Sequence, residues 1–333
     1  MQQEVGVRQS NLYSEDATEK DARLKRSDQL SAAARRAGLE YRTKAAFEKI
    51  PRLDFSKEYL AFIHIPKSAG TTVSSSICKF LDDQGCFLLR DSKVEQFRRS
   101  PLDEKLFNFE QGARSGALRM RKKHPLAPHV DPRRLTGARY FYGHYGVGEE
   151  PTLGGRARYF TVLRDPADRF VVNYYFRKMQ VQSGAIKKFS PILDRNGDIS
   201  PTPVDFLNLL ERRNCEKWRQ TQCRFFGGRP SAIHAKSVIE EKGVHVFPFE
   251  ALHLLESWLR GCLGDGFKFV TRQRVNQSRP SLSEIYAAYP DLRRRLEKSF
   301  EEDFVLYDFY RNRTAEALSR AIDICRRIHP ESP

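Results

Sequence analysis

The chain has 333 residues, 40% of them hydrophobic and 11% aromatic. That is enough to fill the core of one large α/β domain or two small ones, and it argues against a disordered or low-complexity protein. A formal net charge of +16 favours anionic partners such as nucleic acid, acidic glycans, nucleotides or membrane headgroups, unless the excess Lys and Arg simply form a solvated surface. Six cysteines without a Cys-x-x-Cys pair point to reduced thiols, with no zinc site and no dense disulfide framework. No stretch approaches the ~20 apolar residues of a membrane span, and the first residues lack an apolar signal core. The expectation is a cytoplasmic protein without a membrane span, or a Golgi-lumenal one if an anchor has been trimmed from the sequence.

Residues 1–50 carry ten Lys/Arg and eight Asp/Glu in Ala-rich, Pro-free spacing, which predicts an exposed, charged N-terminal arm over residues 1–56, helical or flexible. The run Tyr59 to Pro66 is apolar and β-prone, and Val73, Ile77, Phe80 and Leu81 recur at helical spacing, so residues 59–81 form a strand-loop-helix unit. Between Arg90 and Arg139, thirteen Lys/Arg face six Asp/Glu, and Pro101, Pro125, Pro128 and Pro132 interrupt the pattern, predicting an irregular basic insert. Arg139 to His144 and Arg158 to Leu163 read as short strands, the second followed by a helix from Pro166 or Ala167 through Lys178. Helical pattern returns from Pro203 to Phe226. Gly243 to Phe249 reads as a strand, Leu252 to Leu263 as a helix and Phe267 to Val270 as a last strand. Strands alternating with helices predict an α/β fold, a single domain whose mostly parallel central sheet is flanked by helices. Its span is 57–312, with the insert at 90–139 and a C-terminal helix and tail at 313–333.

The segment Pro66-Lys67-Ser68-Ala69-Gly70-Thr71-Thr72 leaves a strand and opens a helix. Such a P-loop-like turn presents unpaired backbone N–H groups to an anion, and the helix dipole adds favourable potential. Lys67 contributes a charge, Ser68, Thr71 and Thr72 contribute hydroxyls, and Gly70 allows close backbone approach. Lys67 precedes Gly70, so the G-x-x-x-x-G-K-[ST] order of nucleoside triphosphatases is absent. The competing reading is a Gly/Ser-rich turn with an exposed lysine.

Together with Leu163-Arg164-Asp165-Pro166-Ala167-Asp168-Arg169-Phe170, the loop Ile65 to Thr72 resembles the two cofactor signatures of sulfotransferases that use 3′-phosphoadenosine 5′-phosphosulfate (PAPS). The similarity is greatest to the carbohydrate branch, which includes heparan sulfate 2-O-sulfotransferase and bacterial relatives. The resemblance implies that Lys67, Ser68, Gly70, Thr71 and Thr72 hold the 5′-phosphosulfate and Arg164 the 3′-phosphate. Where the family carries a Ser on the helix after that Arg, this chain has Val172, and Asn173, one residue out of step, is the polar group available to replace it. Asp165 and Arg169 read as helix-start and surface ion-pair residues. Asn214 and Gln222 to Gly227 resemble the family's Asn and Gln-x-Arg segment. Arg274, Asn276, Ser278 and Arg279 resemble the basic loop that closes over the nucleotide, and Phe300 to Tyr307 resembles its C-terminal helix.

Sulfuryl transfer, like phosphoryl transfer, asks for positioned cations and N–H dipoles plus a group that removes the acceptor's proton. His144, at a strand end between Gly143 and Gly146, matches the family's Gly-His base, and the alternative is an ordinary loop histidine. His64 reads as a buried histidine of the strand core. The resemblance thus implies a PAPS-dependent sulfotransferase with His144 and Lys67 catalytic, no metal, and an anionic or neutral glycan acceptor. The basic residues Arg98, Arg99, Arg114, Arg119, Arg121, Lys122 and Lys123 either clamp an acidic chain or form a solvated loop. The alternative is a nucleic-acid-binding protein, in which Tyr174, Tyr175, Phe225 and Phe226 beside arginines would stack bases, or a P-loop nucleotide-binding protein without sulfotransferase activity.

Overall fold

The computed structural model describes residues 51–82, 84–90, 93–96, 137–148, 155–183, 193, 198–213, 215, 220–270 and 280–328. Residues 1–50 of the N-terminal arm, most of the basic insert, Asn214 and the segment carrying Arg274, Asn276, Ser278 and Arg279 lie outside them. Two compact units are distinguished, Ile50–Thr314 and a second made of residues 1–49 and 315–333. The sheet and the candidate site belong to the first. Of the second, only the last turns of the C-terminal helix are described.

Among the described residues the sheet has six strands, β1 (Glu58–Ile63), β2 (Cys86–Arg90), β3 (Lys93–Gln96), β4 (Tyr140–Gly143), β5 (Arg156–Leu163) and β6 (His245–Pro248), in the order β3-β2-β4-β1-β5-β6. Five are mutually parallel, and β3 alone pairs antiparallel, with β2 at the edge. The expected α/β architecture is therefore present. β3 opens the segment read as irregular, where charge and proline content obscured a short hairpin partner.

Around the sheet run α1 (Gly70–Phe80), α2 (Pro166–Gln182), α3 (Pro203–Arg212), α4 (Thr221–Arg224), α5 (Ala232–Glu241), α6 (Leu252–Leu263), α7 (Leu282–Ala288), α8 (Leu292–Ser299) and α9 (Glu301–Ile328). The helical pattern from Pro203 to Phe226 is thus two helices. The C-terminal helix runs without a break from Glu301 to Ile328, joining the segment Phe300 to Tyr307 to the helix expected at 313–333. Among the described residues no helix is long and apolar enough to cross a membrane.

β1 reads Glu-Tyr-Leu-Ala-Phe-Ile and is buried from Tyr59 onward, as a central parallel strand covered on both faces must be. Alternation divides its side chains between two layers. On one face Phe62 stacks on its register partner Phe160 (4.7 Å between centroids), which meets Trp258 of α6 at 5.4 Å. On the other, Ala61, Ile63, Phe141 and Leu163 join Phe225, Phe226, Ile239, Leu306 and Tyr307. A separate helical core under α2 gathers Phe170, Val171, Tyr174, Phe206, Leu296 and Phe300. Each large apolar side chain so buried contributes about 1.5–3 kcal/mol.

Phe267 to Val270 is not a strand. Phe267 is fully buried against Phe80 (5.7 Å), while Phe269 N–H donates to Glu256 (3.3 Å) and Val270 N–H to Ser76 Oγ (2.9 Å). The segment lies across α1 and α6, and side chains take its backbone hydrogen bonds in place of a sheet ladder.

Arg169, read as a surface residue, is buried instead. Its guanidinium lies 3.6 Å from Asp303, whose carboxylate also accepts from the N–H groups of Gln222 (3.1 Å) and Cys223 (2.9 Å). Burial raises the Asp303 pKa and lowers that of Arg169, so desolvation outweighs their attraction. Such a pair adds little net stability but is costly to break. Asp303→Ala is expected to destabilise the fold by about 3–5 kcal/mol in urea unfolding, with an apolar Arg169→Met/Asp303→Leu pair losing clearly less. Equal losses in the two variants would contradict this account.

Candidate functional site

Parallel register brings three loops to one place. Ile63, the last residue of β1, is the Cα partner of Gly143 on one side and of Thr161 on the other. The chain emerges from β1 at His64, from β4 at His144 and from β5 at Arg164. The chain leaves β1 toward β2 on the β4 side and leaves β5 toward β6 on the other, so β1 and β5 form the kind of switch point at which open α/β sheets bind ligands beyond their carboxyl ends.

Two hydrogen bonds tie these loops together. Arg164 Nη1 donates to the Lys67 carbonyl at 3.1 Å, joining the two signature segments. His144 Nδ1 lies 2.7 Å from the His64 carbonyl, which can only accept, so Nδ1 carries a proton and, in the neutral ring, Nε2 is the basic nitrogen. Gln222, fully buried, holds the Arg164 main chain from both directions: its Oε1 accepts from Arg164 N–H at 3.0 Å and its Nε2 donates to Arg164 O at 2.9 Å. The Arg164 guanidinium then rests on the Phe249 ring, 4.4 Å from its centroid.

The loop 64–69 is bent by two left-handed residues, Lys67 (φ 69°) and Ala69 (φ 58°), on either side of Ser68. Each such non-glycine conformation costs about 1–2 kcal/mol and is typical of ligand-holding loops. Val73 is the first N–H of α1 to bond a helical carbonyl, that of Ala69 (3.1 Å). The N–H groups of Gly70, Thr71 and Thr72 precede it and have no carbonyl within the helix to bond. No acidic residue lies in that first turn and no side chain caps it, so the positive end of the helix dipole is not offset there. Ser68 is 1% exposed, and its Oγ is buried without a hydrogen-bond partner. A buried unpaired hydroxyl costs about 1–3 kcal/mol unless a ligand completes it.

The local charge is cationic. Lys67 Nζ sits over the Phe176 ring, 2.8 Å from its centroid. Burial, then the nearby guanidinium groups of Arg177 and Arg164, pull the Lys67 pKa well below the ordinary lysine value. Burial lowers Arg177 to about 10, so it stays charged near neutrality. Its Nη1 donates to Gln180 at 2.9 Å. An oxyanion would relieve the repulsion among these groups, which makes them a fit for phosphate or sulfate oxygens.

Gly70 has a role that spacing alone does not give. A Cβ at this position would lie 1.7 Å from His64 Nε2, so the glycine makes room for a histidine ring as well as for an approaching ligand. His64 follows β1 instead of lying within it. Its ring stacks on His144 at 4.5 Å and on Phe62 at 5.5 Å. Burial, with His144 and Lys67 adding to it, pulls its pKa well below 6.5, so it is neutral at pH 7.

Of the expected site residues, Lys67, Ser68, Gly70, Thr71, Thr72, Arg164 and His144 come together. Asn173 is buried on α2 one turn before Phe176 and Arg177, on the face that meets Lys67, while Val172 is also buried. His64, Phe176, Arg177 and Phe249 are additions that the motifs did not indicate. Asp165 caps α2, accepting from the N–H groups of Ala167 (2.9 Å) and Asp168 (3.0 Å), and its other oxygen takes Arg293 at 2.8 Å. Tyr174, Phe225 and Phe226 are at most 2% exposed and so cannot stack bases.

Sulfate has no titrating proton near neutrality, so its binding reports on the protein's groups. Sulfate is expected to raise the Lys67 pKa toward normal. Binding at a pH between the lowered Lys67 pKa and the ordinary lysine value should therefore take up protons, and affinity should fall as pH rises through that interval. Calorimetry in buffers of different ionisation enthalpy checks this, and Lys67→Met should abolish the uptake. Binding without proton uptake in the unmodified protein would contradict it.

No protein-family profile matches the chain, and no curated protein matches it in sequence.

Proposed function

We propose that this protein transfers a sulfuryl group from PAPS to a hydroxyl of a carbohydrate or glycoconjugate. One observation carries the reading: the loop Lys67 to Thr72, the Arg164 turn and His144 meet at the carboxyl ends of three neighbouring parallel strands, joined by the Arg164–Lys67 and His144–His64 hydrogen bonds. Their order and spacing in the chain resemble the family's signatures.

In this reading Lys67, Ser68, Thr71 and Thr72, with the first N–H groups of α1, hold the 5′-phosphosulfate, and Gly70 leaves the approach open. Arg164 and Asn173 hold the 3′-phosphate. Arg274, Asn276, Ser278 and Arg279, in the loop outside the described residues, would complete the nucleotide's enclosure. The phosphosulfate supplies an activated sulfur that an acceptor oxygen attacks in line, displacing adenosine 3′,5′-bisphosphate as the leaving group. His144 Nε2 takes the acceptor's hydroxyl proton as the oxygen–sulfur bond forms. Lys67 and the helix N–H groups stabilise the charge that collects on the bridging oxygen as its bond to sulfur breaks. No metal has a part in this scheme. Anionic and neutral glycans both remain candidates for the acceptor.

Thermal-shift titrations separate this reading from its rivals. Adenosine 3′,5′-bisphosphate is expected to stabilise the protein, whereas ATP with Mg²⁺ and duplex DNA are not. Stabilisation by either rival, with none by the bisphosphate, would overturn the proposal. In a transfer assay with radiolabelled PAPS over polysaccharide, oligosaccharide and lipid-linked acceptors, His144→Ala should cut kcat by about 10²-fold or more. Near-normal turnover would remove His144 from the base role.

A further inference from the structure

His64 belongs to neither signature role, yet it touches both halves of the site. Its N–H donates to the Gly143 carbonyl (3.0 Å), extending the β1–β4 ladder by one step to the residue before His144. Its own carbonyl accepts from His144 Nδ1 (2.7 Å). Its imidazole lies against His144 on one side (4.5 Å, 29° between planes) and Phe62 on another (5.5 Å, 25°). Its Nε2 occupies the place that a Cβ on Gly70, the first residue of α1, would take. Phe225 meets the His144 ring at 6.5 Å with its plane inclined by 64°. The His64 side chain is thus a spacer between the anion-holding helix end and the proposed base.

Resting on the sulfotransferase reading, we propose that His64 is a positioning residue: its carbonyl fixes His144 in the Nδ1–H tautomer and its ring, seated on Gly70, fixes the plane of the His144 imidazole. Two consequences follow. A base held in the wrong tautomer or plane cannot present Nε2 to a hydroxyl, so the contribution of His64 falls on turnover rather than on donor affinity. And because the ring fills the space above Gly70, His64 and Gly70 are energetically coupled.

The test combines kinetics with measurements that need no activity. His64→Ala is expected to lower kcat by about tenfold or more, with adenosine 3′,5′-bisphosphate affinity held within about threefold. In ¹⁵N-histidine-labelled protein, His144 should carry Nδ1–H both in the unmodified protein and in His64→Ala, which keeps the residue-64 carbonyl, while its ring resonances should shift and broaden in His64→Ala as the plane of the imidazole is released. Gly70→Ala should destabilise the unmodified protein, because its Cβ collides with the imidazole, and should cost clearly less in the His64→Ala background, where the space is empty. Unchanged kcat in an active enzyme, His144 ring resonances that His64→Ala does not move, or a His144 without Nδ1–H in the unmodified protein would overturn the proposal. So would a loss of nucleotide affinity equal to the loss in kcat, which would assign His64 to the donor loop. If the unmodified protein transfers no sulfate, the reaction assignment fails, and the tautomer and the Gly70 coupling still decide whether His64 positions His144.

Discussion

The parallel register of β1 is the constraint on which the site depends. With β4 on one side and β5 on the other, the strand fixes three chain exits relative to each other by backbone hydrogen bonds, before any side chain contributes. The side-chain contacts then lock what the ladder has placed. Arg164 reaches the Lys67 carbonyl, and His144 reaches that of His64. Gln222 clamps the Arg164 main chain, and its own N–H is held by Asp303 at the start of α9. Residues far apart in sequence thus hold one arginine rigidly, as preorganised anion recognition requires.

Electrostatics follow from burial. Lys67, Arg164 and Arg177 gather in a partly desolvated region around Phe176 and Phe249, so their mutual repulsion is poorly screened. Strain at Lys67 and Ala69 and a hydroxyl left unbonded at Ser68 add to the tension in the free protein. An oxyanion at the end of α1 would relieve the repulsion and give the Ser68 hydroxyl a partner, and its contacts would offset the backbone strain without removing it. Of the two histidines, His64 is buried and stays neutral, and His144 is only partly buried.

Sequence made some of this legible and left some hidden, for physical reasons. Leu252–Leu263 follows helical spacing and is the helix expected. The strand-loop-helix around Lys67 was visible because an apolar run, a polar turn and a periodic segment follow one another. His64 is buried as expected but lies one step past the end of β1; apolar neighbours on both sides look the same for a core residue and for one just beyond the strand. Only the register separates them. Phe267 to Val270 has strand composition, but its hydrogen bonds go to Ser76 and Glu256, partners no local pattern encodes. Arg169 looked like a surface charge until α9 supplied Asp303. Arg177 and Phe249 enter the site through packing of α2 and the turn after β6, which short motifs cannot report.

The account's central claim is that one oxyanion site lies at the end of α1 and a second at Arg164, spanned by one nucleotide. A crystal structure of the protein with adenosine 3′,5′-bisphosphate tests it most directly. The account predicts the 5′-phosphate on the N–H groups of residues 70–72 with Ser68 Oγ hydrogen-bonded to it, and the 3′-phosphate on Arg164. A nucleotide bound elsewhere, with Ser68 Oγ still lacking a partner, would contradict it.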